Sequence, residues 1–223
     1  MSDPRSREGQ PDASAYKERA ARTMTLLITG KLIKDDREGL CRVRNISSTG
    51  MKIETPSHLE VNQIVHVAMR NGGAIAARVA WTRDGAAGLA FLEALDVSAT
   101  LAAQVPQSRI LRSRVPRGPR LAIEHPIEVE ARRAPHQASL LDISQGGARV
   151  RLPFRPALNE ALVLTVPGLP LKSGAVRWVQ GTECGVGFYE AFAFDTLAGW
   201  AEACGEQVRC DRPAHPEVRR VSP

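Results

Sequence analysis

The chain has 223 residues, with 30 Lys and Arg against 24 Asp and Glu and a formal net charge of +6. That surplus suits an anionic partner (nucleotide, nucleic acid or acidic surface), and equally a merely solvated basic face. No run of 18 apolar residues occurs and the N-terminus is polar, so neither a membrane span nor a signal peptide is expected.

Residues 1–16 are rich in Asp, Arg, Ser, Pro and Gly without periodicity, and read as a disordered lead-in. A basic stretch, Lys17 to Arg22, precedes an apolar run from Met24 to Ile33. The strand after Gly39 ends in the turn Asn45-Ile46-Ser47-Ser48-Thr49-Gly50. An alternating strand, Met51 to Glu54, follows and is closed by Pro56. Ile64 to Met69, Ala77 to Trp81 and Gly88 to Phe91 give three more strands, and Leu95 to Val105 has helical spacing.

Residues 105–120 carry Arg109, Arg112, Arg114, Arg117 and Arg120 and no acid, with Pro116, Gly118 and Pro119 near their end. They form a basic linker that cannot be helical throughout. The plan then recurs. Ile123, Ile127 and Val129 share a strand face, and the turn Asp142-Ile143-Ser144-Gln145-Gly146-Gly147 opens into an alternating strand that ends at Pro153. Leu162 to Leu164, Ala175 to Trp178 and Gly185 to Phe188 follow. An amphipathic helix runs from Asp195, its expected N-cap, to about Cys204, and residues 206–223 read as a disordered tail.

A constant offset of 97 residues carries Asn45 onto Asp142, Pro56 onto Pro153, Trp81 onto Trp178, Gly88 onto Gly185 and Phe91 onto Phe188. This is a duplicated module. The expected architecture is all-β: two tandem six-stranded β-barrels, each followed by a short helix. They occupy residues 17–104 and 114–205 and are joined by a linker at 105–113. Trp81, Trp178, Phe91 and Phe188 fall in alternating strands and are expected in the cores. Modules this small have thin cores, so packing of one on the other, or a homodimer, is expected.

The arginines before the first strand, the Asp/Asn-x-Ser-x-x-Gly turn between the second and third, and the later Trp and Gly-x-x-Phe strands resemble the PilZ domain. The resemblance implies a cytoplasmic bacterial receptor for cyclic di-GMP, needing no other cofactor. Its turn residues are Asn45, Ser47 and Gly50 in the first module, and Asp142, Ser144 and Gly147 in the second. Its arginines are Arg19 and Arg22 in the first, and Arg117 and Arg120, with Arg114 nearby, in the second. The family motif is R-x-x-x-R. Here its leading position is held by Glu18 and Pro116, so both modules read x-R-x-x-R.

The chemistry suits a guanine nucleotide. Guanine O6 and N7 accept two parallel bonds from one guanidinium, and a second arginine can hold a phosphate. The N1–H and N2–H₂ edge needs an acceptor, which Asp142 or Asn45 supplies, while glycine leaves room for the ring. Ligand drawing Arg117 and Arg120 onto the barrel would change the angle between the modules.

Two other readings compete. A degenerate PilZ tandem without nucleotide would be an adaptor for a protein partner, and the twice-incomplete arginine motif is its mark. Single-stranded nucleic acid would want exposed aromatics among the basic residues, and aromatics are only 4% of the chain. An enzyme is not expected. His58, His66, His125, His136 and His215 are scattered and pair with no nucleophile. Cys41, Cys184, Cys204 and Cys210 have neither metal-ligand spacing nor a disulfide pattern, in keeping with a reducing compartment.

Overall fold

The computed structural model describes residues 28–35, 37–70, 73–104 and 118–204. In the first module β1 (Ile28–Lys34), β2 (Arg37–Ile46), β3 (Gly50–Glu54), β4 (Ile64–Ala68), β5 (Ala74–Arg83) and β6 (Ala86–Phe91) precede α1 (Val97–Gln104). These strands close in the order β1-β2-β3-β6-β5-β4, each antiparallel to its neighbours. In the second module β7 (Leu121–Ala131), β8 (Ala134–Ser144), β9 (Gly147–Arg151), β10 (Ala161–Thr165), β11 (Lys172–Gln180) and β12 (Glu183–Phe188) precede α2 (Phe194–Cys204). They close as β10-β11-β12-β9-β8-β7, the same topology. Closure leaves no unpaired sheet edge, which lets barrels this small persist.

The repeat is exact at the level of backbone hydrogen bonds. Phe91 N–H donates to Thr49 O and Phe188 N–H to Gly146 O; Asn62 N–H donates to Val79 O and Asn159 N–H to Val176 O, each pair 97 residues apart. Leu32, Val43, Ile53, Val65, Val67 and Leu89 fill the first barrel. Leu121, Ile127, Leu140, Val150, Leu164 and Val186 fill the second. Ile123, Ile127 and Val129 do share the inner face of β7.

Trp81 and Trp178 do not belong to either core. Trp81 is 42% exposed and Trp178 half-buried. The register shifts between Val79 and Trp81, and between Val176 and Trp178. A bulge there adds one residue and turns the ring from the inner face to the outer. Each indole lies flat over a glycine, Gly88 or Gly185, where any Cβ would collide with the ring. The two positions are equivalent, as the repeat requires. Phe91 and Phe188 are partly buried and pack against their cores, as expected.

The helices differ. α2 buries Phe194, Leu197, Ala198, Trp200 and Ala201, and its Trp200 indole donates to Pro167 O at 2.9 Å. Asp195 lies inside the first turn of α2 rather than capping it. The expected cap geometry occurs in α1 instead, where Asp96 Oδ1 accepts from Ala99 N–H at 3.0 Å.

The modules pack on one another. Leu40 of β2 belongs to the core cluster of the second barrel. The Arg42 guanidinium lies 4.1 Å from the Phe194 ring centroid and 3.3 Å from Asp195. Ser57 Oγ bonds Glu202 at 2.5 Å, and Ala122 N–H donates to Glu38 Oε2 at 3.0 Å. No helix among the described residues is long and apolar enough to cross a membrane.

Candidate nucleotide-binding site

The second turn is a two-residue hairpin, Gln145-Gly146, with Ser144 paired to Gly147. The buried Ser144 hydroxyl donates back to Gly147 O at 3.1 Å, and in the first turn Ser47 Oγ donates to Gly50 O at 3.1 Å. Both serines are therefore ties within the turn, and their protons are committed to the backbone. The glycines serve close approach, not positive φ. A Cβ on Gly50 would collide with Leu89 O, and one on Gly147 with Val186 O.

Asp142 and Asn45 lie at the ends of β8 and β2 rather than in the turns proper. The register shifts between Leu140 and Asp142, and between Val43 and Asn45. Simple alternation would send both side chains inward behind Leu140 and Val43. The bulge reverses that parity, so Ile143 and Ile46 are buried while Asp142 and Asn45 are only half-buried. A carboxylate can stand there because it stays partly hydrated.

Arg120 meets that carboxylate. Its Nη1 lies 2.5 Å from Asp142 Oδ1, with the arginine side chain 38% exposed and the aspartate 17%. The expected arginine and acid of one site are thus adjacent in the second barrel. In the first, the described arginine beside Asn45 is Arg44, whose Nη2 pairs with Glu54 at 2.6 Å. Arg19, Arg22, Arg114 and Arg117 lie outside the described residues, as do the expected linker 105–113, lead-in and tail.

Sequence reasoning missed two contributors. Gln145 Nε2 donates to Phe192 O at 3.1 Å, and its Oε1 stands 3.6 Å from where a Cβ on Gly118 would lie. The turn is thereby fixed beside the point where the basic segment enters the barrel. Arg149, opposite Asp142 across the ladder, is paired with Glu183, which Arg151 also holds at 2.9 Å. The two arginines keep the Glu183 carboxyl below the usual carboxylate range. Only spatial neighbours make these links, so no linear motif marks them.

Among the described residues no group of His, Cys, Asp and Glu is arranged to hold a metal ion. His136 packs edge-on to Phe154 at 4.8 Å and His125 Nδ1 lies 2.8 Å from Pro126 O, so neither belongs to the turn.

Two closed six-stranded barrels, each carrying an Asp/Asn-x-Ser-x-x-Gly turn at one mouth, define a tandem module of one architecture. The chain belongs to the PilZ domain family, whose model matches residues 16–105 and again 114–194. Among solved structures it is similar to PlzA of Borreliella burgdorferi in complex with c-di-GMP, at 12% identity over 80% of this chain and 88% of that one, TM-score 0.34. It is similar to MotI/DgrA, the inhibitor of motility of Bacillus subtilis, at 14% identity over 85% and 100%, TM-score 0.33. The K. pneumonia MrkH–c-di-GMP complex is similar at 12% identity over 80% and 86%, TM-score 0.32. No curated protein matches the chain.

Proposed function

We propose that the chain is a cyclic di-GMP receptor whose principal site is the second barrel. The adjacency of Arg120 and Asp142 carries this reading. In the free protein each group satisfies the other. A guanine exchanges that pair for its own two edges: O6 and N7 accept from Arg120, while N1–H and N2–H₂ donate to Asp142. Arg114 and Arg117, on the preceding segment, face the phosphates as that segment closes on the barrel. Gly147 keeps the turn tight against β12, and Ser144 holds it shut.

Closure there moves the basic segment that connects the modules, and with it the contact between them, which is the signal a protein partner reads. The first barrel, with Asn45, Ser47 and Gly50 but Glu18 at the leading arginine position, is the weaker site through Arg19 and Arg22. Titration calorimetry with cyclic di-GMP tests the assignment. Asp142→Ala is expected to cost about 10- to 100-fold in affinity, the worth of a charged hydrogen bond, and more than Asn45→Ala. Equal losses would reverse the ranking of the barrels. No binding by the wild type would leave the adaptor reading in its place.

A further inference from the structure

Met69, Ala74, Ile75, Leu92, Leu95 and Thr100 line a pocket of about 450 Å³ in the first module, where β4 and β6 end, β5 begins and α1 passes. Its size falls within the ~300–1,000 Å³ of small-molecule sites. The 97-residue offset still holds at this end of the barrels. Leu95 N–H donates to Ser48 O and Phe192 N–H to Gln145 O, while Thr100 N–H donates to Asp96 O and Leu197 N–H to Ala193 O. The second barrel can therefore be laid on the first residue by residue.

In the second barrel the corresponding space is full. Phe192 stands for Leu95, Leu197 for Thr100 and Trp200 for Ala103, and all three of these second-barrel residues are buried. The Trp200 ring lies 6.3 Å from that of His125, and its N–H donates to Pro167 O at 2.9 Å. The first barrel lacks that volume. Leucine replaces phenylalanine and threonine replaces leucine, and the Thr100 hydroxyl turns to its own helix, donating to Asp96 O at 2.7 Å. Apolar walls without a filler forfeit contacts that an apolar guest restores.

The rim says which polar group such a guest carries. Pro167, which receives the indole N–H, corresponds to Arg70, the residue after Met69. Arg70 is half-buried and has no hydrogen bond or ion pair among the described residues. A guanidinium without an acceptor suits a carboxylate, which it grips through two parallel bonds. Glu93, the acid on the lining, is exposed and stays hydrated. We infer that this pocket is a second ligand site that takes an acyl-chain carboxylate, with the chain where the second barrel has Leu197 and Trp200 and the head group on Arg70. It does not depend on the cyclic di-GMP reading, since none of its residues belongs to either turn.

Titration calorimetry of the full chain with monomeric dodecanoate tests this, with dodecylamine and dodecanol as head-group controls. Dodecanoate is expected to bind saturably, and dodecylamine roughly tenfold more weakly or worse. Arg70→Ala should weaken dodecanoate by about tenfold or more and leave dodecanol unchanged. Thr100→Leu, which installs the second barrel's residue, should abolish binding and raise the thermal midpoint of the free protein; Leu95→Phe should act in the same direction. If both filled variants bind dodecanoate as the wild type does, the chain sits elsewhere and the inference is wrong. Equal affinity for dodecanoate and dodecylamine removes Arg70 from the site and overturns the assigned chemistry. A wild type that binds no dodecanoate overturns the site altogether, and a more stable Thr100→Leu would then mark the space as a packing defect.

Discussion

Ser144 shows how a motif residue divides between fold and function. Its hydroxyl is buried and donates to Gly147 O, so the serine shapes the turn that presents Asp142. Removing it takes one hydrogen bond from a buried turn, and Ser144→Ala is expected to cost about 0.5–1.5 kcal/mol of stability. Denaturant unfolding checks this; a stability loss matched by little change in affinity at saturating fold would separate a turn tie from a ligand contact. The buried thiols are quiet for a related reason. Burial pushes Cys41 up to about 12 and Cys184 up to about 11, so neither forms thiolate near neutrality.

At the scale of elements, the β9–β12 ladder ends in the Arg149–Glu183–Arg151 cluster. Hydrogen bonds from Arg149 and then Arg151 lower the Glu183 pKa from its ordinary 4.5. A depressed carboxyl pKa stabilises the fold fully above the unfolded value and ceases to do so as pH falls through the folded one. Acid unfolding below about pH 4.5 should therefore be less steep in Glu183→Gln, read by circular dichroism across a pH series. The helices close their modules unequally: α2 brings Phe194, Leu197 and Trp200 to the core, whereas in α1 the partly buried Val97 and Leu101 pack against theirs. Leu197→Ala should cost about 2–5 kcal/mol as a buried large-to-small change, seen as a lowered denaturation midpoint.

Across the whole molecule, α2 is shared. It closes the second barrel while lying on β2, and Leu40 joins the second core from the first module. Leu40→Ala should therefore lower the stability of both barrels, by about 2–5 kcal/mol in total, and split a single calorimetric transition into two. A single transition merely shifted in temperature would mean that the modules remain coupled without it. The polar ties, Ser57–Glu202 and Arg42–Asp195, are exposed and contribute ~1 kcal/mol or less each.

The sequence by itself determined the duplicated barrels, their strands and trailing helices, the two turns and the PilZ assignment. The barrels, helices and turns rest on period-2 alternation, turn chemistry and a constant offset, and the family on the resemblance of the repeated turn motif. Tertiary structure decided what alternation cannot carry. One extra residue in a bulge reverses the facing of everything near it, which moved Trp81 and Trp178 out of the cores and brought Asp142 and Asn45 outward. It also decided which groups meet: Arg120 with Asp142, Gln145 with Gly118, and Arg44 with the second turn. Those residues are 22, 27 and about 100 positions apart, brought together by barrel closure and by α2 lying on β2. Spacing in a sequence records the strand a residue belongs to; only closure in space sets what stands across from it.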